Sequence, residues 1–261
     1  TSGPSLRYLC LDWYDQGPVL ISASTLQLLF ATCKSLEHLS VTFNISVDTL
    51  PLPQLQPLEK LSFLRLTCFD TAQPRDLSTV FSACPNLASV DCELSASKWT
   101  EQYFQLWRRV ETLEFYWTSI NLEWLQHLVA ARKLTMPRHF SLVQRPSRVV
   151  ELPLLDELDL HHDASDGAAW LAHFRAPKAR IVRLSGRVDL ALLSDAVPRL
   201  ETLRFRLDVE ELLTALVKLL ARPAKTFPAL RVVELPSAAS SSEAESALRD
   251  AGVIVQTFED I

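Results

Sequence analysis

Pro153-Leu154-Leu155-Asp156-Glu157-Leu158-Asp159-Leu160 is the stretch from which the rest of the chain can be read. Leu155, Leu158 and Leu160 stand in the order apolar-x-x-apolar-x-apolar, behind a proline. The alternation from Leu158 to Leu160 is that of a strand with one buried face. Working outward in both directions, the same order returns at Leu6/Leu9/Leu11, Leu36/Leu39/Val41, Leu61/Leu64/Leu66, Leu87/Val90/Cys92 and Val110/Leu113/Phe115. It continues at Ala131/Leu134/Met136, Ala179/Val182/Leu184, Leu200/Leu203/Phe205 and Leu230/Val233/Leu235. The starts, near 6, 36, 61, 87, 110, 131, 155, 179, 200 and 230, lie about 25 residues apart on average.

Leucine is common, so the phase needs a second marker. Proline stands two residues ahead of the first apolar position at Pro4, Pro85, Pro153, Pro177, Pro198 and Pro228. Random scatter of the 15 prolines over 261 residues would place about 0.6 there, and a proline both stops a preceding helix and favours an extended neighbour. Cys33 and Cys84 share the position three residues ahead of Leu36 and Leu87.

Between the strand motifs, apolar residues recur with helical spacing. Leu26, Leu29, Phe30 and Cys33 share a face, as do Tyr103, Leu106 and Trp107. A helix is also expected over 121–131, with Leu122, Leu125, Leu128 and Val129 inward. Asp208 can cap a helix striped by Leu212, Leu213, Leu216, Val217 and Leu220. Ser240 and Glu243 form a possible capping box for a last helix that Gly252 can close. Residues 49–59, with Pro51, Pro53 and Pro57, and residues 139–152 break the rhythm and read as irregular loops.

Strand, turn and helix repeating near 25 residues define an α/β leucine-rich-repeat solenoid. The expected form is a horseshoe with a parallel inner sheet, outer helices or irregular loops, and about ten repeats. It is a single domain over 1–261, with a C-terminal cap over about 240–261. The cap is expected to use a helix over 243–251 and a strand over 253–258. Little chain precedes the first strand, so apolar surface at Leu6, Leu9 and Leu11 is expected to be partly uncovered.

Hydrophobic residues make up 48% of the chain and charged residues 22%, a folded rather than disordered composition. No run reaches the roughly 18–20 apolar residues of a membrane span, and no polybasic membrane tract occurs. Thr1-Ser2-Gly3-Pro4 lacks the basic and apolar regions of a signal peptide. A net charge of −5 argues against a nucleic-acid binder. Five cysteines with no CxxC pair suggest reduced thiols in the cytoplasm or nucleus.

The segments Cys84-Pro85-Asn86-Leu87, Pro198-Arg199-Leu200-Glu201-Thr202-Leu203 and Pro153 to Leu160 resemble the irregular repeats of intracellular F-box proteins with leucine-rich repeats. The likeness runs from Leu6 to about Leu235. The asparagine of more regular arrays, eight residues past the first leucine, occurs only as Asn44. The resemblance implies the substrate-recognition part of a ubiquitin ligase, reaching a Skp-type adaptor through an F-box that these residues do not contain. The alternative is an intracellular scaffold or immune-type sensor domain unrelated to ubiquitin.

On alternating strands the residues between the core positions face the inner curve. Those expected to meet a protein partner are Asp91, Glu93, Glu114, Tyr116, Asp159, His161, Arg180, Arg183, Arg204 and Arg206. The middle repeats are acidic and the following two basic, an arrangement that would orient a partner of complementary charge. Cross-strand pairing within the sheet is the other reading of the same charges. Glu201, Asp159 and Glu234 are the carboxylates expected to compensate the arginines. Tyr8, Trp13, Phe43, Phe63, Tyr116 and Trp117 add aromatic anchors at or beside the same face.

No phosphate loop, dinucleotide fingerprint, zinc-protease or nucleophile-elbow motif occurs. His161-His162-Asp163 is the one local cluster resembling a metal site. Adjacent strand residues point to opposite faces, so both histidines cannot serve one metal without a bend. An enzyme, a metal and a cofactor are not expected.

Overall fold

The prolines that set the phase take part in one recurring turn. In eight repeats the first apolar residue donates its N–H to the carbonyl three residues earlier: Leu36 to Cys33, Leu61 to Leu58, Leu87 to Cys84 and Ala131 to Leu128, then Leu155 to Leu152, Ala179 to Ala176, Leu200 to Val197 and Leu230 to Phe227. Pro85, Pro153, Pro177, Pro198 and Pro228 fall at the second position of that turn, where a fixed φ near −65° is favourable. Their role is thus to build the turn into the strand as well as to end what precedes it. Seven of the eight acceptor residues are buried, which anchors the turn to the core.

The computed structural model describes residues 5–11, 23–43, 55–68, 78–93, 105–116, 119–120, 122–136, 141–142, 146–162, 169–186, 188–207, 209–221, 226–237 and 242–258. The chain forms two compact units, Thr1–Thr118 and Ser119–Ile261.

In the first unit, β1 (Tyr8–Leu11), β2 (His38–Phe43), β3 (Phe63–Cys68), β4 (Ser89–Glu93) and β5 (Thr112–Tyr116) pair in parallel in chain order. Leu9, Leu39, Leu64, Val90 and Leu113 share one register row. The last four of these are fully buried. α1 (Ala23–Thr32) and α2 (Ser78–Ser82) lie between strands. Leu26 and Phe30 of α1 are buried, whereas Leu29 and Cys33 are half-buried. At β1, whose outer side pairs with no strand among the described residues, Leu6 is 38% exposed and Leu9 and Leu11 are half-buried. The edge is open as expected, because a repeat buries its apolar face only against two neighbours.

In the second unit, β6 (Lys133–Met136), β7 (Glu157–His162), β8 (Ile181–Gly186), β9 (Thr202–Leu207), β10 (Val232–Pro236) and β11 (Ile254–Phe258) are again parallel and in order. Leu134, Leu158, Val182, Leu203 and Val233 form the corresponding row and are fully buried. α3 (Leu190–Ala196), α4 (Val209–Leu220) and α5 (Ser242–Asp250) follow β8, β9 and β10. Two further pairs of two-residue strands, Ser119–Ile120 with Ser141–Leu142 and Val150–Glu151 with Phe174–Arg175, lie outside the main sheet.

Three expectations change. The helix expected over 121–131 is a 3₁₀ helix at Leu122–His127. Three residues per turn align Leu122, Leu125 and Leu128 on the buried side. Val129, expected inward, is 47% exposed because it takes the turn position that proline holds elsewhere. α3 was not anticipated, although Asp189 ahead of Leu190, Leu193 and Val197 is a legible signal. The Asp189 carboxylate accepts from Ala191 N at 2.8 Å and Leu192 N at 3.3 Å. At the C-terminus the cap has the expected form: Gly252, at φ +83°, donates to Arg249 O while Val253 donates to Leu248 O. Asp208, Ser240, Asn44 and most of 49–59 lie outside the described residues.

Two groups give direct checks of the packing. Burial pushes the Cys84 thiol up to about 12, whereas Cys10 is exposed. Native-state alkylation near neutral pH, followed by peptide mass mapping, should label Cys10 and leave Cys84 untouched. Glu123 Oε1 accepts from Ser147 Oγ and Ser147 N, each at 2.7 Å. The hydroxyl contact first, then the amide contact, holds the Glu123 carboxyl below its usual range. A depressed folded-state value means that its contribution is present above the unfolded-state value and lost as pH falls through the folded one. An NMR titration should place the Glu123 midpoint lower in the native chain than in Ser147→Ala.

Candidate functional site

Each polar sheet face is built by the alternation that sends leucine to the core. In the first unit Cys10, Ser40, Arg65, Asp91 and Glu114 form one row. Arg65 Nε stands 2.8 Å from Asp91 Oδ2, and Asp91 is buried while Glu114 is half-buried. Glu93 and Tyr116 are register partners on β4 and β5, but their side chains lie outside the described residues. Tyr8, His38 and Phe63 stack across three strands, with ring centroids 4.7 and 5.3 Å apart. Trp13 and Trp117, and the side chain of Phe43, lie outside the described residues.

In the second unit the candidate residues form a denser array. The row Thr135–Asp159–Arg183–Arg204–Glu234–Gln256 crosses all six strands. Arg183 Nη1 donates to Glu157 Oε1, which Lys133 Nζ also approaches at 2.8 Å. Arg204 Nε donates to Glu234 Oε2, and its guanidinium carbon lies 4.9 Å from the centroid of the Phe258 ring. Arg206 Nη2 is 3.3 Å from Asp159 Oδ2, and Arg206 Nη1 is 3.3 Å from His161 Nε2. His161 Nε2 also sits 3.2 Å from Asp159 Oδ1, yet that oxygen makes no hydrogen bond.

Asp159, expected on the exposed face beside Arg204 and Glu234, is only 3% exposed, while those two are half-buried. The alternation is correct, but the long side chains of Arg206 and His161 cover the short carboxylate. Of the three carboxylates expected to compensate the arginines, Asp159 and Glu234 do so. Glu201 makes no ion pair among the described residues, and Glu157 takes its place. Its sequence signal was the register: Glu157 lies opposite Ile181, two residues from Arg183. Arg180 stands just ahead of β8, is exposed and does not join the pairs.

Four cations, Lys133, Arg183, Arg204 and Arg206, thus meet three carboxylates, Glu157, Asp159 and Glu234. Burial first, then the Arg204 and Arg206 charges, hold Arg183 below the usual arginine range. It stays charged near neutral pH nonetheless. Ser185, opposite His161, is buried with its hydroxyl oxygen unpartnered. The cross-strand pairs consume a minority of the guanidinium donors, so the face retains capacity for an acceptor. Among the described residues no group of three His, Cys, Asp or Glu is placed to hold a metal ion. No described helix is long and apolar enough to cross a membrane.

Fold and site together define a solenoid-like α/β protein with a charged polar sheet face. No protein-family model matches the chain, and no curated protein matches its sequence.

Proposed function

We propose that this chain is a protein-recognition module, built as a leucine-rich-repeat horseshoe, that takes its partner on the polar face of the second unit's sheet. The carrying observation is the half-buried cluster of Arg183, Arg204 and Arg206, whose pairs with Glu157, Glu234 and Asp159 leave unspent guanidinium donors on an accessible surface. Guanidinium groups so held have already lost much of their side-chain freedom, which lowers the cost of engaging a partner. In the finer form of the reading, the module selects substrates for an F-box-type ubiquitin ligase. Its support is the resemblance of the Cys84, Pro153 and Pro198 segments.

Affinity capture with the full-length gene product, compared with its Arg183→Glu, Arg204→Glu double variant at matched thermal stability, tests both forms. A partner lost from the double variant, together with co-purified Skp-type adaptor, is the expected result. Loss of the partner without any adaptor would leave a scaffold or sensor module. Undiminished binding at both low and physiological salt would remove this face from recognition.

A further inference from the structure

Asp159, His161 and Arg206 close a triangle on the second unit's polar face, and one nitrogen in it has two incompatible neighbours. His161 Nε2 stands 3.3 Å from Arg206 Nη1 and 3.2 Å from Asp159 Oδ1. A guanidinium can only donate a hydrogen bond, and a carboxylate can only accept one. Without a proton Nε2 therefore suits Arg206, and with one it suits Asp159. The third side of the triangle runs from Arg206 Nη2 to Asp159 Oδ2, at 3.3 Å. Asp159 Oδ1 is buried and accepts no hydrogen bond, so an imidazolium would find an unclaimed acceptor within reach. His161 is 30% exposed, open enough to exchange a proton with water.

We propose that His161 is a pH-operated latch for Arg206: on gaining a proton it turns to Asp159 and releases the guanidinium from the sheet face into water. Arg206 is the member that moves. Its side chain is 37% exposed, whereas that of Asp159 is 4% exposed and too short to follow. Arg206 reaches from β9 past β8 to β7, and its guanidinium has no other ion pair or hydrogen bond among the described residues. Ser185, opposite His161 on the intervening strand, leaves its hydroxyl oxygen unpartnered and so holds nothing in place. Protonation turns one of the two contacts of Arg206 into a like-charge contact at 3.3 Å and makes it share the other.

The surrounding charges do not compensate the change. On β7 Glu157 is taken by Lys133 and Arg183, and on β10 Glu234 is taken by Arg204. On β8 the charge nearest in register is Arg183, opposite Asp159, which adds a cation rather than a carboxylate. On β6 the residue opposite Asp159 is the uncharged Thr135, and the register ends at Met136 beside Leu160. Histidine is the side chain that changes charge between about pH 5 and 8, so the latch works within the range a protein meets. It is a property of the sheet and stands whether or not this face takes a partner. A partner bound there would meet an arginine whose position depends on pH.

The test is an NMR titration of the intact chain from pH 8 to pH 5, following the His161 ring and the Arg206 guanidinium together. The two sets of signals are expected to move with one shared midpoint. Slowed rotation about the Arg206 Nε–Cζ bond, expected above that midpoint, should be lost below it. In His161→Gln, whose side chain is polar but gains no proton, the Arg206 signals are expected to stay in place. A His161 that titrates while Arg206 is unmoved overturns the latch, as does a His161 that keeps one charge throughout. An Arg206 shift that survives in His161→Gln puts the proton on another group, Asp159 first, and overturns it too. Should the variant not fold, the Asp159 Cγ signal of the wild type decides the same point: a change as large as that of a carboxyl gaining a proton refutes the latch, and a small one supports it. No partner enters the experiment, so its failure leaves the recognition reading standing.

Discussion

Leu158→Ala is expected to lower the unfolding free energy by about 2–5 kcal/mol through lost burial and the cavity left behind. Leu158 is fully buried at the centre of β7, with Leu134 on one neighbouring strand and Val182 on the other, both also fully buried. Two flanking strands held by backbone hydrogen bonds resist collapse into the space, which favours the upper part of the range. In a stack of repeats the damage falls on the altered unit and its nearest neighbours. Hydrogen exchange should therefore rise first in β6, β7 and β8. Leu154→Ala supplies the contrast: Leu154 sits in the proline turn and is 39% exposed, so its loss should stay within about 0.5 kcal/mol. Urea unfolding of the two variants measures the difference. Equal midpoints would mean that the period of the repeat had been assigned out of register.

The second large effect falls on a residue whose place in the sheet had suggested a small one. Asp159→Ala is expected to cost about 1–3 kcal/mol, although an exposed strand position would cost almost nothing. The carboxylate is buried under Arg206 and His161, and its removal leaves the Arg206 guanidinium without its Oδ2 partner at 3.3 Å. Arg206 is still partly open to water. It can be re-solvated, which keeps the cost below that of breaking a fully enclosed ion pair. A double-mutant cycle with Arg206→Ala separates the pair from simple loss of volume. The double variant should be less destabilised than the sum of the singles, and strict additivity would show that the contact contributes nothing.

By itself the sequence determined the repeat. The order apolar-x-x-apolar-x-apolar, the proline two residues ahead and the buried residue three ahead are local signals, because a strand's alternation and a β-turn are each completed within a few consecutive residues. They place Leu39, Leu64, Leu134, Leu158, Val182 and Leu203 in the core, and the structure buries all six. Local spacing also misled at Val129, where a period of 3.6 was assumed and a period of 3 and a turn were formed.

Only the tertiary structure decided which charges meet. Arg183 lies 26 residues from Glu157, and Arg206 lies 45 from His161, so each pairing depends on the register of separate strands. That register determines whether a guanidinium reaches straight across, as Arg204 does to Glu234, or obliquely past one strand, as Arg206 does to Asp159 and His161. The burial of Asp159 has the same origin. A short side chain on a solvated face is covered only when longer ones from neighbouring repeats fold over it, and no pattern within its own repeat records their reach.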